Sequence, residues 1–238
     1  MTAPIQQAVI LAAGQGTRLR QGQQDYPKPL YPLRDRPLIG HVMDAFCDHG
    51  IKRFFVVVGF EKEQVMPGIE AAVPPGASLT FIDNPDWRLN NGVSLLKAKD
   101  EVRGRFFLSM SDHIFHSAMV AALEQGAQQP DSLYLAVDRK LDSVFDMDDA
   151  TKVRSEADRI VAIDKELEEF DAVDTGLFLC PDDVFSFLAR ARVDGDCSLS
   201  DGVRAMAGEG RARIVDIGAA RWQDVDTPDM LGQAEKLL

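Results

Sequence analysis

The stretch AVILAAGQGTRL, Ala8 to Leu19, decides the fold. Ala8 to Ala13 is an uninterrupted apolar run, the pattern of a buried strand, and it ends in a turn carrying Gly14 and Gly16. Ala12, Ala13, Gly14 and Gly16 leave almost no side-chain bulk at that turn, so backbone N–H groups there can approach a base or a phosphate closely. Arg18 adds a planar, permanently charged donor just beyond it. In the following YPKPL, Pro27 and Pro29 are expected to hold the backbone extended around Lys28, making it a preorganised point charge. A dinucleotide fingerprint needs glycine or alanine at the third position after Gly14 and Gly16, and that position is Leu19. No GK[ST] closes the turn, so a Walker A loop fails as well.

Outward from this turn, strand-like and helical segments alternate. Helical spacing runs from Leu38 to Asp48 with Gly50 as its stop, followed by the strand FFVVVG and a helix from Glu61 to Ala72. LTFID, a helix from about Val93 to Lys99, the buried strand RFFLSM and a helix through Met119 and Leu123 come next. This implies βαβ units in an α/β, Rossmann-like, mostly parallel sheet flanked by helices, with ligands at the carboxyl ends of strands. In the second half SLYLAVD, KVRSE, RIVAID and VDTGLFLC read as strands without long helices between them, a small antiparallel addition. Helices Asp182–Arg192 and Ser200–Ala207, a strand RARIVDI and a final helix capped by Thr227 with Pro228 at its first position close a single domain, 1–238.

The composition sets limits. A net charge of −12 argues against nucleic acid or anionic lipid as a partner, and it requires any polyanion site to concentrate positive charge locally. No apolar run reaches the roughly 20 residues of a membrane span, and MTAPIQQ does not read as a signal peptide, so a cytoplasmic enzyme is expected. Cys47, Cys180 and Cys197 never form a CxxC pair and read as buried reduced thiols.

LAAGQGTRL followed by KPL resembles the N-terminal motif of the sugar-nucleotidyltransferase family, whose members activate phosphorylated sugars and alcohols with an NTP. The resemblance implies that Arg18 and Lys28 contact the triphosphate. It also implies that Leu11, Ala12, Ala13, Gly14, Gly16 and Thr17 receive the nucleotide. Asn84, Gly92 and Ser94, around the Asn90–Asn91–Gly92 turn, are assigned to the same ligand. Asp112, after FFLSM, and Asp226, in RWQDVDTP, stand where the family holds Mg²⁺, and one or two carboxylates plus phosphate oxygens is this ion's usual set. Asp224 lies on the same side of that extended segment, so choosing Asp226 rests on the resemblance. Lys165 matches a lysine that holds the acceptor phosphate. His113 and His116 are spaced like helical neighbours but lack a third metal ligand, so capping or substrate hydrogen bonding is expected of them.

The chemistry follows from charge. A phosphate monoester is mainly dianionic at neutral pH, its second pKa being about 6, so it needs no general base. It needs cations that let it approach another polyanion in line. DATKV, FDAVDTG and MSDHIF resemble the inositol-1-phosphate cytidylyltransferases, which implies CTP as donor and inositol 1-phosphate as acceptor. Asp174 and Thr175 are then expected to bind the polyol, with Asp138 a weaker candidate. Asp149 is a weaker candidate as well. In some organisms this domain is fused to a membrane synthase. No membrane segment follows here, so a separate membrane enzyme is expected to use the product unless it has another fate. Phosphocholine is the alternative acceptor, with Trp87, Trp222, Phe145 and Phe170 as aromatic partners, and a sugar 1-phosphate is another. A non-catalytic nucleotide-binding subunit is the alternative of a different class, and the presence of Arg18, Lys28, Asp112, Lys165 and Asp226 argues against it.

Overall fold

The computed structural model describes residues 5–19 and 26–238, so the extreme N-terminus read for a leader lies largely outside the described residues. The chain runs from β1 (Gln7–Ala12) through the short hairpin of β2 (Pro32–Leu33) and β3 (Arg36–Pro37) into α1 (Leu38–Cys47). It continues as β4 (Arg53–Val58), α2 (Lys62–Ala72), β5 (Ser78–Asp83), α3 (Asn91–Leu96) and β6 (Phe106–Met110). Next come β7 (His113–Phe115), α4 (Ser117–Gly126), β8 (Leu133–Asp138), β9 (Lys152–Glu156), β10 (Arg159–Asp164) and β11 (Ala172–Cys180). The last elements are α5 (Val184–Ala191), α6 (Leu199–Gly208), β12 (Ala212–Asp216), β13 (Trp222–Asp224) and α7 (Pro228–Ala234).

Nine strands form one sheet in the order β5-β4-β1-β6-β11-β8-β12-β10-β9. β1 is parallel to β4 and β6, β4 to β5, and β8 to β12. β11 opposes β6, β8 and β9, and β10 opposes β12 and β9, so only β10 and β11 run against the common direction. The chain steps outward from β1 to β4 and β5, then returns to the other side of β1 with β6. That reversal of winding opens a crevice at the carboxyl ends of β1 and β6.

β1 is apolar from Ala8 onward because both of its faces are buried. Ala8, Ile10 and Ala12 join a core with α1, α2, α4 and α7, whereas Val9, Leu11 and Ala13 join a second core with α3, α5 and α6. Helix α7 is capped as its sequence predicts: Met230 N–H donates to the Thr227 hydroxyl at 3.3 Å, and Pro228 is the first residue. Helix α3 is shorter than its pattern, tightening into a 3-10 turn over Lys97–Asp100. Cys180 and Cys197 are buried free thiols, and Cys47 is half-buried rather than buried. Among the described residues, no helix is long and apolar enough to cross a membrane.

A small antiparallel ribbon matters most for the site. β7 and β13 pair Phe115 with Trp222 and His113 with Asp224, and Val225 N–H donates to the Asp112 carbonyl at 3.0 Å. This ribbon fastens the segment carrying Asp226 against the end of β6 that carries Asp112.

Candidate active site

Lys28 sits at the inner end of the crevice. Pro27 is extended, its φ held at −56 by the ring, but Lys28–Leu30 turns into a 3-10 helix, closed by Leu30 N–H donating to the Pro27 carbonyl at 2.8 Å. The backbone around Lys28 is therefore pinned by a turn, where an extended run was expected. Its stem crosses Gly16, which has φ +61, and any Cβ at Gly16 would overlap the Cβ of Lys28. Glycine is needed there for the left-handed turn and to let the lysine through.

The Lys28 ammonium pairs with the Asp112 carboxylate and with Asp226 Oδ1, the latter at 2.5 Å. Asp226 Oδ2 lies 3.0 Å from Arg18 Nη2, which also reaches Asp149 Oδ2 at 2.8 Å. The other Asp149 oxygen, Oδ1, takes Lys165 Nζ. One alternating chain of charge thus runs Asp112, Lys28, Asp226, Arg18, Asp149, Lys165. The Lys28 side chain is 12% exposed and that of Lys165 51% exposed, so the inner pairs are strong and the outer ones are screened by water. Burial pushes the Asp112 carboxyl up, but Lys28 and His113 outweigh it and hold the group well below the usual carboxylate range. Burial works to lower Lys28 as well, and Asp112 with Asp226 more than compensate, so it stays a cation.

Two cavities meet along this chain. One, of about 380 Å³, is lined by Leu11, Ala12, Ala13, Gly14, Gly16, Thr17, Arg18, Lys28 and Ser94, with Trp87 and Asn91 opposite. The second, of about 270 Å³, is lined by Lys165, Asp149, Asp174, Asp224, Thr151 and Ser200. Arg18, Asn91, Met110, His113 and Asp226 belong to both. Asp174 faces the second cavity. Burial pushes its carboxyl up to about 6, against the Gly176 N–H that it accepts at 2.6 Å.

Residues 8–165 match the MobA-like NTP transferase domain, well over half of the chain. The chain belongs to that family. Among curated NTP transferase relatives, the bifunctional IPC transferase and DIPP synthase of Thermococcus kodakarensis is 32% identical over 236 residues, covering 98% of this chain and 50% of that protein. The protein of the same name from Rubrobacter xylanophilus is 33% identical over 234 residues, covering 97% of this chain and 51% of the relative. The chain therefore spans about half the length of these curated relatives. The solved inositol-1-phosphate CTP transferase from T. maritima superposes with a TM-score of 0.88 at 26% identity, covering 100% of this chain and 96% of that one.

Within this NTP transferase frame, Arg18, Lys28, Lys165, Asp112 and Asp226 converge. Leu11, Ala12, Ala13, Gly14, Gly16, Thr17 and Ser94 line one wall. Four of the expected ligand-binding residues, Asn84, Gly92, Thr175 and Asp138, do not line either cavity. Asn84 is fully buried behind the wall, donating from Nδ2 to Ser94 Oγ at 2.9 Å and accepting from Asp86 N–H at 3.0 Å, so it braces Ser94. Gly92 packs against the chain at 197–198, where a Cβ would meet the Cys197 and Ser198 carbonyl oxygens. Thr175 is fully buried and donates from Oγ1 to the Ala136 carbonyl at 2.8 Å, turning its hydroxyl away from Asp174. Asp138 lines a neighbouring cavity and is committed to Lys140 and to the Trp222 indole N–H. His113 and His116 are not helical neighbours: His113 is in β7, with Nδ1 2.9 Å from Asp112 Oδ1, and His116 precedes α4 and reaches the Leu237 carbonyl at 3.0 Å. The four aromatics form no cage. Trp87 lines the first cavity beneath Arg88, Phe145 and Trp222 line the neighbouring one, and Phe170 lies under Lys152.

Asp149 was underrated by its sequence. It lies in the run DMDD, where nothing distinguishes one acid from the next, yet it alone bridges Arg18 and Lys165.

Proposed function

We propose that this chain is a cytidylyltransferase that transfers CMP from CTP to inositol 1-phosphate, giving CDP-inositol and pyrophosphate. What carries this reading is the alternating chain of charge from Asp112 to Lys165, which brings three basic side chains from distant segments to the seam between two cavities. The similarity to IPC transferases and to an inositol-1-phosphate CTP transferase supports the choice of donor and acceptor.

In this reading CTP occupies the larger cavity, with its base against the glycine turn and its triphosphate at Arg18 and Lys28. The acceptor phosphate lies at Lys165, and its polyol faces Asp174. Phosphate oxygens replace Asp226 and Asp149 as partners of Arg18 and Lys28. The acceptor dianion attacks the α-phosphorus in line, and the bond to pyrophosphate breaks. No proton has to be removed, because the nucleophile is already ionised. Lys28 and Arg18 stabilise charge gathering on the α-phosphate and the leaving group in a partly dry site, where cations act most strongly.

Asp112 and Asp226 are suited to Mg²⁺. Their carboxylates converge on one ammonium nitrogen, Asp112 is firmly ionised, and among the described residues no group of three or more acids, histidines or cysteines is placed to hold a metal without substrate. Such an ion, when bound, supplies further neutralisation of the triphosphate.

The test is pyrophosphate release from CTP with Mg²⁺ and a panel of inositol 1-phosphate, phosphocholine and glucose 1-phosphate. Turnover with inositol 1-phosphate preferred, abolished by EDTA, is expected. Preference for another acceptor would replace the polyol assignment, and no pyrophosphate with any NTP and acceptor would favour a non-catalytic nucleotide-binding role.

A further inference from the structure

A third cavity, of about 460 Å³, lies beyond the one assigned to the acceptor. It is larger than the acceptor cavity and meets it across only Val144, Trp222 and Asp224. Trp222 is the bulky member of that wall, and it is fixed at two points. Its indole N–H donates to Asp138 Oδ2 at 3.1 Å, and its ring stacks on the His113 ring, centroids 6.0 Å apart and planes 15° from parallel.

Both supports are themselves tied to neighbouring groups. Asp138 is 3% exposed, and its second oxygen accepts from Lys140 N–H at 2.8 Å and from Lys140 Nζ at 2.7 Å. His113 is bonded to Asp112 on one edge, and on another it abuts Gly176, where φ is +73 and any Cβ would overlap the imidazole. A tryptophan buried for packing alone needs one partner for its N–H. This one stands as a braced panel between two open spaces.

We propose that Trp222 is a specificity-determining partition that limits the acceptor to a phosphate carrying a single ring. This rests on the reading of the 270 Å³ cavity as the acceptor site. That volume lies just below the usual range of about 300–1,000 Å³ for small-molecule pockets, which suits a compact polyol phosphate. Removing the indole joins it to a space that more than doubles it, with Lys140, Arg221, Ser143 and Gln233 available to further hydroxyls. Asp138, freed of the indole N–H, gains an oxygen that can accept from a substrate hydroxyl.

The experiment compares kcat/KM for inositol 1-phosphate and for the same molecule bearing one added hexose, in wild type, Trp222→Phe and Trp222→Ala. Wild type is expected to use only the smaller acceptor. Trp222→Ala should raise KM for it and gain at least about tenfold on the glycosylated one. Trp222→Phe should keep the wild-type preference, since a ring still fills the gap. Trp87 is then the only tryptophan in either variant, and quenching of its fluorescence by CTP reports an intact nucleotide cavity. An unchanged ratio between the two acceptors in a Trp222→Ala protein that still binds CTP overturns the partition and leaves the acceptor site standing. Absence of turnover on either acceptor in wild type overturns the acceptor reading, and the partition with it.

Discussion

Lys28 and Asp226, 198 positions apart, meet at 2.5 Å, and the same ammonium also holds Asp112. A single lysine thus keeps two mostly buried carboxylates, 13% and 19% exposed, together before any substrate arrives. Replacing it with alanine leaves like charges facing each other, a loss of order 3–5 kcal/mol for a broken buried pair. Lys28→Ala should melt well below wild type, and millimolar Mg²⁺ should raise its melting temperature more than it raises that of wild type, because the cation fills the vacated position. Turnover should fall about a hundredfold, the usual cost of losing one transition-state donor. A Lys28→Ala protein with wild-type turnover and no added response to Mg²⁺ would remove Lys28 from the site.

The framework of this arrangement was legible in the sequence, and the details at its edge were not. Long apolar runs such as Ala8–Ala13 announce a sheet buried on both faces, and helical spacing in α1 and α4 supplies the crossovers. The ribbon of β7 and β13 has three-residue strands, too short to show a period, so the placing of His113 was missed. Thr175 was misread for a related reason. The register between β11 and β8 shifts between Asp174 and Phe178, where Gly176 adopts a positive φ, and a hydroxyl next to a cavity residue then points into the sheet. An amide or hydroxyl has the same letter whether it faces a ligand or a backbone carbonyl, and only tertiary packing decides which.

That distinction can be measured. Thr175→Val removes a buried hydrogen bond to Ala136 and should cost about 1–2 kcal/mol of stability, seen in denaturant unfolding. Its kcat and KM should stay within about twofold of wild type. Asn84→Ala should behave similarly, since its amide serves Ser94 and Asp86. A large rise in KM for either substrate at unchanged stability would return these side chains to the ligand surface.

On the proposed reading, Asp149 competes with substrate for its two cations. Arg18 and Lys165, from different segments, each take one of its oxygens, as they would take two oxygens of a phosphate. The pairs are partly solvated, so neutralising the acid should cost the fold less than about 1 kcal/mol. Asp149→Asn should therefore bind inorganic pyrophosphate and the acceptor phosphate roughly two- to fivefold more tightly, read by calorimetry and by KM. Weaker binding in the variant would show that Asp149 orients the two cations for phosphate instead of competing with it.

Asp174 links the cavity proposed for the acceptor to pH. Its carboxyl is pushed up to about 6 in the folded chain, chiefly by burial, against about 4 when unfolded. Between those values the native state holds the extra proton, so this group makes stability fall as pH rises from about 4 to about 6; above that the penalty is constant. Two pKa units correspond to roughly 2–3 kcal/mol. Asn at this position keeps an oxygen for the Gly176 N–H and has no charge to desolvate. Asp174→Asn should match wild type in stability near pH 4 and exceed it above pH 6, the gap opening across that interval in parallel thermal melts. If the carboxylate receives acceptor hydroxyls, the same variant should lose at least about tenfold in kcat/KM for inositol 1-phosphate at pH 8, with CTP binding retained. Dividing wild-type rates by variant rates cancels the titration of the phosphate nucleophile, whose own second pKa is about 6. A variant with no stability gain at high pH would mean that Asp174 is solvated and ionises normally.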